Sequence, residues 1–152
     1  MQKGKILGLD WGAKRIGVAV SDEERQMAFG RTSIENKSNE FIISEIKLIC
    51  DAENIREIVL GYPLNMEGNK TKTTKKVEAF GALLSQKLQI TIKYQDERLT
   101  SVESDSIITS LDMKKDKRKK ESDIIAASLI LKNYLDLHRE KGTDQKGPYD
   151  SP

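Results

Sequence analysis

Lys5-Ile6-Leu7-Gly8-Leu9-Asp10, then Trp11-Gly12-Ala13-Lys14, then Arg15-Ile16-Gly17-Val18-Ala19-Val20-Ser21 is the stretch from which the fold is read. A short apolar run stops at an acid, and the segment after the link puts Ile16, Val18 and Val20 on one side with the period of a strand. The Trp11-Gly12-Ala13 link is tight and carries glycine, so the two runs are expected to pair as a hairpin. A third, weakly patterned strand is expected over about 26–34.

Beyond this meander the period changes. Ile42, Ile46 and Ile49 recur at helical spacing after the polar Asn36 to Asn39 stretch, giving a first helix with its apolar stripe inward. Ile58-Val59-Leu60 reads as a strand covered on both faces, ending at Gly61-Tyr62-Pro63, where proline stops the ladder. After a loop rich in Asn, Gly and Lys, Val77, Phe80, Leu84 and Leu88 mark a second helix. Ile90, Ile92 and Tyr94 then alternate with polar residues as a fifth strand running into Asp96-Glu97-Arg98. Thr100 and Glu103 have capping-box spacing for a third helix, and a last helix is expected from about Lys120 to His138. This order predicts an α/β fold: a five-stranded mixed sheet, antiparallel meander plus parallel strands, with helices on its faces. With 152 residues, a single domain over 1–138 is expected, followed by a disordered tail over 139–152 that contains Gly142, Gly147, Pro148 and Pro152.

Composition removes several classes of chemistry. Cys50 is the only cysteine, so no intramolecular disulfide, thiolate zinc cluster or CxxC redox pair can form. The sole histidine, His138, falls at a helix end where it complements the dipole, which speaks against a Ser-His-Asp or Cys-His nucleophile. No apolar run approaches the roughly 18 residues of a membrane span, and Asp10 arrives too early for a signal peptide. A cytoplasmic protein without a membrane partner is expected. The net charge of +2 is too near neutrality to argue for a polyanionic partner. Its distribution is uneven, however: Lys114 to Lys120 reads KKDKRKK, six positive charges against Asp116.

Ligands of open α/β sheets gather outside the carboxyl ends of the strands. Asp10 ends the first strand, Glu97 follows the fifth, and Asp123 falls in the first turn of the expected last helix. Carboxylates from three separate elements suit Mg2+ or Mn2+, in a two-metal arrangement where Asp10 bridges and Glu97 and Asp123 each complete one ion. Taken singly, each acid also has an ordinary reading. Asp123 suits a helix N-terminus, and Glu97 suits a pair with Arg98 or solvent. Asp10 resists such a reading, because a charge directly ending an apolar strand beside glycine needs a partner or a metal. Lys117, Arg118, Lys119 and Lys120 would put phosphate-binding charge beside the proposed metals, although a charge run also reads as a solvated loop. Lys14 and Arg15 are placed to touch phosphate as well. Trp11 reads as packing against a neighbouring loop sooner than as stacking on a base.

LGLDWGAKRIGVAVSD (Leu7 to Asp22), VLGYPLNMEG (Val59 to Gly68), DERLTSVES (Asp96 to Ser104) and KRKKESDIIAASLILKNYL (Lys117 to Leu135) resemble, in order, the motif blocks of the YqgF family. That family is described as pre-16S ribosomal RNA processing nucleases or Holliday junction resolvases, with an RNase H-like fold related to the RuvC resolvases. The resemblance spans Leu7 to Leu135. It implies that the acids of the first, third and fourth blocks are Asp10, Glu97 and Asp123, with Asp96 as the alternative to Glu97. It further implies that Asn65, in the Gly61 to Gly68 loop, lines a substrate groove and that Arg98 faces phosphate. The function it implies is metal-dependent endonucleolytic cleavage, in maturation of the 16S ribosomal RNA precursor or, alternatively, on branched DNA. The partner is then structured RNA or a DNA junction, and the chain a monomer or weak homodimer, since a resolvase must cut two symmetric strands. A nucleic-acid-binding module without chemistry stays open beside these. An actin-like ATPase, which begins with a similar strand-turn-strand, needs two lobes where this chain supplies one.

Overall fold

The computed structural model describes residues 4–97 and 115–139. In chain order it contains β1 (Lys5–Asp10), β2 (Arg15–Ser21), β3 (Ala28–Glu35), α1 (Asn39–Glu53), β4 (Ile55–Tyr62), α2 (Lys72–Leu88), β5 (Thr91–Asp96) and α3 (Lys115–His138). The helix expected around Thr100 and Glu103, together with Arg98, Lys114 and residues 140–152, lies outside the described residues.

The strands form one sheet in the order β3-β2-β1-β4-β5. β1 pairs antiparallel with β2 and β2 with β3, whereas β1 and β5 each pair parallel with β4. This is the mixed sheet expected from the pattern. The β1–β2 link is as tight as anticipated: a Cβ on Gly12 would stand 2.7 Å from the Arg15 carbonyl oxygen. Asn36 clamps the link from the end of β3, its side-chain amide donating to Gly12 O at 2.9 Å and its backbone N–H to Lys14 O at 2.9 Å.

Strands β1 and β4 are central and covered on both faces, which is why their apolar runs are continuous rather than alternating. Leu7, Leu9, Ile16, Val18, Ile58 and Leu60 face α1 and α2 and meet Ile42, Ile46, Val77, Phe80 and Leu84 there. Trp11 packs against this same cluster, as the burial tendency of tryptophan suggested. The stripe of α1 runs Ile42, Ile46, Cys50, with Ile49 at its margin, because the helix meets the sheet in steps of four rather than three at its end. Burial pushes the Cys50 thiol up to about 11.

The weak pattern of β3 has two causes. It is an edge strand with only Ile34 fully buried, and its register against β2 slips between Val18 and Ala19. The slip inserts Arg31 as an extra residue, so Ala28 and Gly30 pair on one side of the bulge and Thr32 and Ser33 on the other. The bulge reverses the alternation, bringing Ser33 onto the same face as Gly30.

That face belongs to α3. The helix begins at Lys115, earlier than the expected Lys120, because lysine and arginine are good helix formers whose charge stays in water while the apolar stripe starts later. Asp123 is therefore two turns inside the helix, and its reading as a first-turn residue favoured by the dipole does not hold. Ala127, Ile130, Leu131, Tyr134 and Leu135 pack on Ile6, Ala19 and Val59. The helix lies unusually close at one end: a Cβ on Gly17 would overlap the carbonyl oxygen of Asp123. A glycine inside a strand, costly in chain entropy, is explained by this approach of another backbone. Gly17→Ala is expected to cost about 3 kcal/mol or more, through overpacking against a backbone that cannot yield. Urea unfolding checks this, and an unchanged midpoint would mean that α3 is not seated on β2.

Candidate active site

Register and alternation bring the acids together. Asp10 pairs with Gly17 across the hairpin and shares the parity of Gly8, whose Cα faces Leu131 of α3. Glu97 follows β5, its backbone N–H donating to Tyr62 O at 3.4 Å. Its carboxylate occupies the space above Gly61, where any Cβ would overlap it. Asp10 on β1 and Glu97 beyond β5 thus meet across β4, at the carboxyl ends of the three parallel strands, joined by a side-chain hydrogen bond.

Two carboxylates can share such a bond only if one carries a proton. Burial pushes Glu97 up to about 9, aided by the charge of Asp10, the bond with it, and the charge of Asp96. Burial likewise raises Asp10 to about 6, with the bond from Glu97 opposing and the charge of Asp123 adding to the rise. The pair titrates as a unit that holds one proton near neutrality. Between Asp96 and Glu97, it is Glu97 that reaches Asp10; Asp96 contributes charge.

Asp123 stands close enough to act on Asp10 electrostatically, but its carboxylate is engaged elsewhere. Arg15 Nε donates to Asp123 Oδ2 at 2.6 Å, and Ser33 Oγ donates to the same oxygen at 3.3 Å. The three predicted acids therefore gather at one end of the sheet as a bonded pair and a neighbour. Among the described residues no three His, Cys, Asp or Glu side chains are arranged as a group that could hold a metal ion as they stand.

The predicted substrate-binding residues fall in three places. Lys14 is exposed on the β1–β2 link beside Arg15. Lys117, Lys119 and Lys120 are exposed on α3 within two turns of Asp123, and Arg118 is half-buried. Asn65 builds its own loop: Oδ1 accepts from the backbone N–H groups of Glu67 at 3.1 Å and Asn69 at 2.8 Å. That loop is tied to α2 by Thr74, which donates to Pro63 O, and by Glu78, which accepts from Tyr62 Oη at 2.6 Å and Lys70 Nζ at 2.9 Å.

Three contributors escaped the sequence reading: Ser33, Gly17 and Gly61. The two glycines carried a usable signal, since glycine within an apolar strand marks a close approach. Ser33 carried none, because only the bulge at Arg31 turns it inward.

The RuvX family, described as Holliday junction resolvase, matches residues 4–137. The chain belongs to this family. The resemblance read from the four YqgF blocks is thus borne out. Among curated relatives of this RuvX chain, a protein of Clostridium beijerinckii named "Putative pre-16S rRNA nuclease" is 40% identical over 137 residues, covering 90% of this chain and 99% of that one. Proteins of the same name from Dictyoglomus thermophilum and Clostridium botulinum are 37% and 43% identical, each covering 87% of this chain and 95% and 96% of theirs. Among solved structures, RuvC of T. thermophilus in complex with a Holliday junction substrate superposes with a TM-score of 0.57 at 10% identity, covering 91% of the RuvX chain and 98% of RuvC. A second Thermus thermophilus RuvC structure gives 0.53 at 8% identity, covering 86% and 93%. The RNase H-like fold is confirmed by these likenesses.

The acid pair dictates a pH dependence. Both carboxyls titrate higher in the folded chain than in the unfolded one, so between the ordinary carboxylate range and about pH 9 the folded state binds more protons. Stability must fall as pH rises through that window. Thermal melts in EDTA are expected to show Glu97→Gln gaining on the wild type steadily from pH 5 to pH 9. A constant difference would contradict the shared proton.

Proposed function

We propose that this RuvX-family chain is a divalent-metal-dependent endonuclease that hydrolyses phosphodiester bonds, with the 16S ribosomal RNA precursor as substrate. The observation that carries the reading is the half-buried, hydrogen-bonded Asp10–Glu97 pair beside Asp123 at the carboxyl end of the parallel strands. Two carboxyls placed so that one must take up a proton form a poor structural device and a good cation site. The donor set fits a hard cation: every candidate ligand atom is a carboxylate oxygen, which suits Mg2+ or Mn2+. Asp10 and Glu97 would hold the cation, with Asp123 completing a second position.

When bound, such a cation supplies Lewis-acid charge for the phosphoryl oxygens and lowers the pKa of a bound water. The chain's own residues do the rest. Gly61 leaves room for the Glu97 carboxylate and Gly17 for the backbone of α3 at Asp123, which sets where these two acids stand. Exposed Lys14, Lys117, Lys119 and Lys120, with Arg118, attract the polyanionic backbone to this end of the sheet. The family resemblance adds Arg98 as a further candidate phosphate contact, and Asn65 shapes the loop that the resemblance assigns to the substrate groove.

The relatives' shared name supports the ribosomal substrate, and their bacterial sources support a cytoplasmic site of action. Branched DNA is the second reading, favoured by the family description. Side-by-side incubation with a precursor 16S transcript and a four-way DNA junction separates the two. A monomer suffices for the first, while the second requires at least a transient homodimer. None of the described helices is long and apolar enough to cross a membrane.

Asp10→Asn is expected to lower the cleavage rate by roughly two orders of magnitude or more while leaving the fold and nucleic-acid binding in place. Unchanged turnover with Mg2+ or Mn2+ supplied would remove the proposal. Replacing Lys117, Lys119 and Lys120 together with Gln is expected to weaken binding and to reduce the slope of log affinity against log salt by about 0.9 per lost phosphate contact. An unaltered salt slope would show that the run is merely solvated.

A further inference from the structure

The contact between Arg15 and Asp123 joins residues 108 positions apart, at the one carboxylate that the acid pair does not engage. Both of its partners, Arg15 Nε at 2.6 Å and Ser33 Oγ at 3.3 Å, fall on Oδ2, so the side chain is pinned from the β2–β3 side. A guanidinium and a hard cation compete for the same carboxylate charge and lone pairs. The ion pair is within reach of an incoming ligand: the two side chains are 21% and 23% exposed. Nε makes the bond, and among the described residues the two Nη groups have no partner. Those groups form the planar fork that suits phosphate. Exposed Lys14 immediately precedes Arg15, and Lys117, Lys119 and Lys120 precede Asp123 on α3, so backbone phosphates are drawn to this end.

We infer that Arg15 is a positioning residue that couples cation loading to nucleic-acid binding: its guanidinium is the counter-ion of Asp123 until a backbone phosphate draws it away, and Asp123 then completes the second cation position beside Asp10 and Glu97. The inference rests on the proposed cation site. By linkage the coupling is reciprocal, so phosphate engagement tightens cation binding and the cation tightens nucleic-acid binding. A nuclease built this way loads its full cation complement on substrate rather than in free solution.

Titration of the full-length chain with Mn2+, followed by the spin-resonance signal of the free ion, tests this. Asp10→Asn comes first, and it must weaken Mn2+ binding; if it binds as the wild type does, the cation site itself is wrong and the inference falls with it. Given Asp10-dependent binding, Arg15→Gln should tighten Mn2+ on the order of fivefold, the scale of one part-exposed ion pair removed as competitor. That gain should vanish in the Asp123→Asn background, closing a double-mutant cycle. Unchanged or weaker binding in Arg15→Gln overturns the role of Arg15 while sparing the cation site. An equal gain with Asp123→Asn also overturns it, because it would report general electrostatics. A short RNA hairpin supplies a second measurement that does not depend on Arg15→Gln folding. Added to the wild type it should tighten Mn2+, and in Asp123→Asn it should not; no gain, or the same gain in both, overturns the coupling.

Discussion

The backbone of α3 lies directly on β2 at Gly17, and the meeting of the acids depends on that seat. Asp10 sits across the hairpin from Gly17, and the carbonyl of Asp123 sits on top of it. Without a side chain at that position, two acids separated by more than a hundred residues become neighbours. Gly61 performs the parallel service on β4, clearing the space in which the Glu97 carboxylate turns toward Asp10. Small residues on the sheet face under α3 thus trade local packing for the convergence of charge. The larger hydrophobic cluster on the opposite face, where Leu9, Ile16, Leu60 and Leu84 meet, secures the sheet independently of that trade.

Forcing like charges together in a half-buried site is unfavourable, and the structure resolves it in two ways. The Asp10–Glu97 pair retains a proton and turns repulsion into a hydrogen bond. Asp123 takes a guanidinium and a hydroxyl as partners. Each acid is satisfied, Asp10 and Glu97 by a shared proton and Asp123 by a guanidinium and a hydroxyl. A carboxylate cluster of purely structural purpose would have its own fixed basic partners throughout. The uneven satisfaction, permanent nowhere and complete everywhere, is the physical signature on which the nuclease reading rests.

Much of this was legible in the residues. The hairpin, both flanking helices and the buried parallel strand followed from period and from turn chemistry, because the central strands see apolar neighbours on both faces and the helices on one. Convergence of Asp10 and Glu97 at the strand ends followed from the rule that such ends gather ligands. The misreadings have local causes. Cys50 completes the α1 stripe in place of Ile49 because the helix's angular drift is invisible without the sheet beneath it. The early start of α3 was hidden by the basic run, whose residues favour a helix without leaving an apolar trace. The sequence placed Arg15 to touch phosphate but could not show that it also meets Asp123, a contact across 108 residues that no local pattern encodes.

The amino-acid order by itself determined the strand and helix periods, the mixed sheet and the placement of Asp10 and Glu97 at strand ends, since these are properties of short segments and of their apolar repeat. Tertiary structure alone decided which face each acid occupies, that Glu97 rather than Asp96 meets Asp10, that a bulge at Arg31 turns Ser33 toward Asp123, and that Arg15 is its counter-ion. The reason is physical: side-chain alternation is set by register, register by pairing with strands distant in sequence, and a charge acquires its partner only when the packed chain has fixed the distance between them.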